Sequence, residues 1–157
     1  MDSNRKRSAL WVLAGGLVAG TFDITYACVF WAIKIGAPPT RIFQSVARGL
    51  LGAASFRGGA ATAALGLFLH YFIATSMSFF YYFVARKWAV LYKYPLRCGA
   101  VYGLFLFVFM TYVVVPLSAA RGGASPGKLW IALSILVHMF LIGVPIAFFT
   151  RRAIVSK

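Results

Sequence analysis

Four runs of mostly apolar residues, at about 9–33, 61–84, 98–118 and 129–150, dominate this chain. A helix needs about 20 such residues to cross the hydrocarbon core. In lipid it must also satisfy every backbone N–H and C=O within the segment. Four runs of this length leave little of the 157 residues for anything else. The expected fold is all-α, a four-transmembrane-helix bundle in a single integral-membrane domain over residues 1–157. Composition agrees, with 62% of residues apolar against roughly 45–50% in soluble domains. The run that follows MDSNRKRS exceeds the h-region of a signal peptide, about 7–15 residues. Asp23 also interrupts it, so it reads as a retained span.

The formal net charge of +14 comes from 16 Lys and Arg against Asp2 and Asp23. The basic residues lie between and beside the apolar runs, and no groove-reading motif accompanies them. Nucleic acid is therefore not an expected partner, whereas a bilayer with anionic head groups is. Ten basic residues fall on one side: Arg5, Lys6, Arg7, Arg86, Lys87, Lys93, Arg97, Arg151, Arg152 and Lys157. Six fall on the other: Lys34, Arg41, Arg48, Arg57, Arg121 and Lys128. By the positive-inside rule both termini are expected in the cytoplasm. Trp11, Trp31, Trp88 and Trp130 all sit at or beside expected span ends, where indole rings favour the head-group level.

The first outer loop contains APPTRIFQSVARGLLG, residues 37–52. It reads as a short interfacial helix with Thr40 as N-cap and Gly52 as C-cap. Ile42, Phe43, Val46 and Leu50 share an apolar face, and Arg41, Gln44 and Arg48 lie elsewhere. Such a helix is either a plain amphipathic connector or a lid over a cavity.

The spans repeat. GLVAGTF (16–22) matches GAVYGLF (99–105) as G-x-V-x-G-x-F, and ALGLFLHYF (64–72) matches ALSILVHMF (132–140) as A-L-x-x-x-x-H-x-F. The order is the same in both halves, and each half contains two spans. The expectation is two parallel two-helix repeats related by a pseudo-two-fold axis along the membrane normal. Gly16 with Gly20, and Gly99 with Gly103, form small-xxx-small pairs that either let a neighbouring backbone approach closely or make room for a flat ligand.

Asp23 shares a helical face with Gly16, Gly20 and Ala27. It lies ten residues before the outer end of the first run, and His70 and His138 each lie nine residues after the outer start of theirs. At about 1.5 Å per residue, all three fall roughly 13–15 Å below the outer interface. An acid and two imidazoles at one depth are expected to form a buried polar layer, with Asp23 paired to His70, His138 or both. Intramembrane ionisable groups are candidates for binding or proton-linked work. A neighbouring carboxylate favours the imidazolium form and burial disfavours it. Two histidines on matching helices would also permit bis-histidine ligation of a haem b.

Other signals point to packing. Cys28 and Cys98 have no ligand or pairing spacing, and Met77, Met110 and Met139 read as core. No metal site is expected, and no hydrolase triad or phosphate loop occurs, so no catalytic residue is assigned and an enzyme is not favoured. Pro145 frees the carbonyl of Leu141 and is expected to kink the fourth span. VVVPLSAARGGASPG (113–127) reads as a span end followed by an outer loop.

With GGLVAGTFD, FQSVARGLLG, AALGLFLH and YVVVPLSAA in view, the chain resembles an uncharacterised family of small four-span bacterial inner-membrane proteins, over about residues 9–120. The resemblance implies a multi-pass protein of the bacterial inner (plasma) membrane and carries over no substrate, cofactor or catalytic residue. Three functional expectations follow. The first is binding or passage of a small solute or a proton, or a pH-responsive accessory role, at Asp23, His70 and His138. The second is a haem b redox protein. The third is a structural or assembly subunit, for which a second copy or another membrane protein is the partner.

Overall fold

The structure, a computed structural model, describes residues 3–120 and 127–156. Six helices follow in order: α1 (Ser3–Ile35), α2 (Pro39–Leu51), α3 (Gly59–Ala85), α4 (Val90–Lys93), α5 (Pro95–Leu117) and α6 (Lys128–Val155). A 3₁₀ stretch, Gly52–Arg57, joins α2 to α3. There is no strand among the described residues. Helices α1, α3, α5 and α6 are long and apolar enough to cross a membrane, so the chain is an all-α bundle of four span-length helices. Their outward surfaces match that environment: Leu10, Phe68, Val101 and Leu129, one from each, are 64–68% exposed. Residues 121–126, Arg121 among them, lie outside the described residues, as do Asp2 and Lys157.

Glycine and proline set the helix limits. Gly36, at φ 68°, follows the end of α1. Helix α2 then starts with Pro39 in its first turn, where a missing N–H costs nothing and the ring pre-sets φ. The N-cap is thus Pro38 rather than Thr40, and no side chain caps it. Gly52 closes α2 at φ 61°. Pro95 opens α5 in the same way. Further along, α5 widens into a π-helical turn at Met110–Val114, just before Pro116. Helix α6 does the same at His138–Gly143, just before Pro145. In both cases an i→i−5 bond takes over ahead of the proline, from Val115 N–H to Met110 and from Val144 N–H to Met139. The expected disturbance at Pro145 therefore takes the form of a π turn.

Helix α1 packs against α3 and α6, α5 packs against α6, and α2 lies across α3. The glycines determine how close these pairs come. A Cβ on Gly16 would stand 2.6 Å from Thr75 Cα, and one on Gly20 would stand 3.1 Å from Tyr71 and Ala74. In the second half, a Cβ on Gly99 would stand 2.7 Å from the Gly143 carbonyl, and one on Gly103 would collide with the His138 carbonyl and crowd Met139. The registers correspond. With His70 aligned to His138, Thr75 takes the place of Gly143 and Tyr71 that of Met139. The two motif pairs thus form the same helix–helix contact twice.

The halves differ in how they meet. Helices α1 and α6 pack along their length. Ser8 Oγ donates to Ala153 O at 2.8 Å near one end, and Tyr26 stacks on Trp130 at 5.0 Å near the other. The equivalent seam, between α3 and α5, is bridged towards the α4 end. There the Tyr81 and Tyr102 rings lie 4.8 Å apart and Tyr102 OH donates to Met77 O at 2.8 Å. The tyrosines join Ala19, Leu106, Ile142, Ile146 and Ala147 in the core.

Replacing Gly103 by Ala forces a methyl group into the His138 carbonyl, and overpacking of this kind costs about 1–3 kcal/mol. A Cβ at Gly49 has its nearest neighbour at 3.9 Å. Gly103→Ala should lower the thermal midpoint of the detergent-solubilised protein, and Gly49→Ala should leave it unchanged or raise it. Equal midpoints would contradict the packing described.

Candidate functional site

A cavity of about 310 Å³ occupies the open part of the α3–α5 seam. All four span helices line it, and α2 roofs it. Ala19, Gly20 and Asp23 come from α1, and His70, Ile73, Ala74 and Met77 from α3. Leu106, Met110 and Val114 come from α5, and His138 and Ile142 from α6. The roof is Ser45, Val46 and Gly49 of α2, together with Ser118 and Ala120 just past α5. The Ala119 N–H donates to the Gly49 carbonyl at 2.9 Å, which pins α2 to the end of α5. Of the two roles open to the amphipathic helix, the geometry gives it the lid position.

Helix α2 holds that position through its backbone. Phe43 O sits where Gly66 would carry a Cβ. Gln44, expected on the polar face, is instead buried, and its Nε2 donates to Gly59 O at 3.0 Å. The reason lies in the turn after α2. The 3₁₀ stretch brings the start of α3 back beside α2, so the buried Gln44 amide finds its acceptors in Gly59 O and Thr62 Oγ1.

Asp23, His70 and His138 all line the one cavity. Their depths agree through the aromatic cluster above them. Trp31 and Trp130 lie 5.2 Å apart. Asp23 and His138 are each eight residues below those indoles in sequence, about 12 Å along a helix. The direct pairing of Asp23 with an imidazole is not what the geometry provides. His70 Nε2 bonds to the Gly20 carbonyl at 2.8 Å, and His138 Nδ1 bonds to the Ser134 carbonyl at 2.8 Å. Main-chain carbonyls reach the rings first. At Gly20 this is possible because no side chain separates α1 from α3. Asp23 has no hydrogen-bond or ion-pair partner among the described residues.

Among the described residues no three His, Cys, Asp or Glu side chains come close enough to share a metal ion. Against a haem b stands the lining, which offers an acid and, among the described residues, no lysine or arginine to pair with its two propionates. Cys28 and Cys98 are free thiols. Below the tyrosine bridge the same seam continues as a second groove of about 330 Å³ lined by aromatic and aliphatic side chains, including Phe80, Trp88 and Val101.

Sequence reasoning missed the roof residues and the asymmetry of the two seams. Ser45 and Gly49, small residues one turn apart on α2, were the available signal for the roof. No protein-family model, curated protein or solved structure matches the chain.

The two histidines should differ in stability. His70 ties α3 to α1, whereas His138 bonds within its own helix. Interhelical hydrogen bonds in membrane proteins average about 0.6 kcal/mol and reach about 1.7. His70→Ala should therefore lower the unfolding free energy by more than His138→Ala, measured in the same detergent. The reverse order would contradict the assigned bonds.

Proposed function

We propose that this chain is a multi-pass protein of the bacterial inner membrane, with both termini in the cytoplasm, and that it binds a small solute beneath α2 for passage or sensing. One observation carries the reading: Asp23, His70 and His138, drawn from three different spans, line one cavity of about 310 Å³ beneath α2. That volume falls at the small end of ligand pockets, about 300–1,000 Å³. An ionisable group in a span without a partner is costly unless it serves a site, and Asp23 is such a group. The wall is mostly Ile, Leu, Val, Met and Ala, which favours a solute with an apolar part over a proton relay. The inner-membrane assignment rests on the family resemblance, and the orientation rests on the ten-to-six distribution of Lys and Arg.

A structural role for part of the layer also has support. The His70 bond to Gly20 holds α3 in register on α1. On that reading Asp23 and His138 carry the solute contacts and His70 shapes their setting.

Cysteine accessibility tests the binding reading. In a background lacking Cys28 and Cys98, Met110→Cys lies in the cavity and Val108→Cys on the exposed apolar surface. A small water-soluble thiol reagent should modify the first markedly faster than the second. Equal, negligible labelling of both would remove the solute site. Orientation has its own test. A fluorescent-protein fusion after Lys157 should fold and fluoresce, and an alkaline phosphatase fusion at the same point should be inactive. The opposite pair of results would invert the topology.

A further inference from the structure

Among the described residues, the side-chain donors that line this cavity already have acceptors. A carbonyl oxygen can only accept, so each neutral imidazole places its single proton on the nitrogen that faces a carbonyl. For His70 that is Nε2, against Gly20, and for His138 it is Nδ1, against Ser134. In the neutral rings the nitrogens that remain, His70 Nδ1 and His138 Nε2, are acceptors. Ser45 donates its hydroxyl proton to Ile42 O at 2.6 Å, and Ser118 donates its own to Val115 O at 2.8 Å. Asp23, when ionised, accepts only. No lysine or arginine lines the cavity among the described residues. The lining therefore presents one carboxylate and several acceptors, set in a wall of Ile73, Leu106, Met110 and Ile142.

We infer that the cavity selects a small organic ammonium ion, a protonated amine on a short apolar chain. The ammonium group supplies three donors and a positive charge to an acceptor-only site, and the chain fills the aliphatic wall. An anion would meet Asp23 with like charge. A neutral alcohol would bring a single donor and leave the carboxylate without a counter-charge in low dielectric. This inference rests on the solute-binding reading and names the class of solute.

The test uses the full chain in nanodiscs of zwitterionic phosphatidylcholine near neutral pH. Calorimetric titrations with butylammonium, 1-butanol and butyrate are each corrected by titration of empty discs. Butylammonium should bind saturably and more tightly than either analogue by about ten- to a hundredfold, the difference made by one charged hydrogen bond. Asp23→Asn keeps the shape and should remove most of that preference. Should Asp23→Asn fail to fold, the three titrations of the wild-type protein still decide. Butanol or butyrate binding as tightly as butylammonium would overturn the cation assignment and leave solute binding standing. Binding of none of the three would also overturn it. Accessible labelling of Met110→Cys would then keep the solute site, and its absence would remove both.

Discussion

Backbone-to-backbone contact at glycine is the constraint on which this structure depends. Lipid tails are as apolar as leucine, so helices in a bilayer gain little from hiding hydrophobic side chains against each other. Close approach, with dense van der Waals contact, has to supply the association. Gly16 and Gly20 allow α3 to settle on α1, and Gly99, Gly103 and Gly143 allow α5 and α6 to do the same. In each half, the contact brings the histidine-bearing helix to the same register against its neighbour. Residues facing the middle of the bundle are consequences of that register, and Asp23, His70 and His138 are among them.

A duplicated pair of helices would give two equivalent seams between the halves, yet only one is filled. On the α1–α6 side, Tyr26, Phe30, Trp31 and Trp130 fill one end and Ser8 ties the other. On the other side, the α3–α5 seam has a tyrosine bridge towards α4 and space towards α2. The π turns occur in α5 and α6, both in the second half, and Met110, Val114, His138 and Ile142 of those turns line the space. Pro116 and Pro145 have no counterparts in α1 or α3. The π turns ahead of these prolines and the carboxylate of Asp23 thus break the likeness of the halves at the same place, the cavity.

Much of this was legible in the sequence, and the failures have physical causes. The spans emerge from length and hydropathy, because the bilayer leaves a helix few alternatives. The glycine motifs marked where a neighbouring backbone comes close, since only small residues permit that approach, but did not name the partner helix. The cap of α2 was misplaced because Pro39 competes with the usual rule of a polar N-cap: its ring fixes the first turn without any side-chain bond. Gln44 was misplaced because its acceptor, Gly59 O, arrives through a 3₁₀ turn that periodicity does not reveal. The depth of Asp23 and the histidines could be counted along each helix, and the structure sets all three around one space. Their bonding could not be counted in this way. Whether an imidazole meets a carboxylate or a carbonyl depends on rotation about the helix axis and on the bare backbone at Gly20, neither of which spacing determines.

The central claim is that the two halves are closed against each other at α1–α6 and open at α3–α5, and disulfide trapping addresses it directly. In a background without Cys28 and Cys98, one variant would carry Ser8→Cys with Ala153→Cys, and the other Ile73→Cys with Val114→Cys. A disulfide needs Cα atoms within about 7 Å. Mild oxidation should cross-link the first pair, and the second should require a longer bifunctional reagent to span the cavity. Ready disulfide formation between Ile73→Cys and Val114→Cys, with the Ser8 and Ala153 pair refractory, would show the open seam to be the closed one and contradict the account.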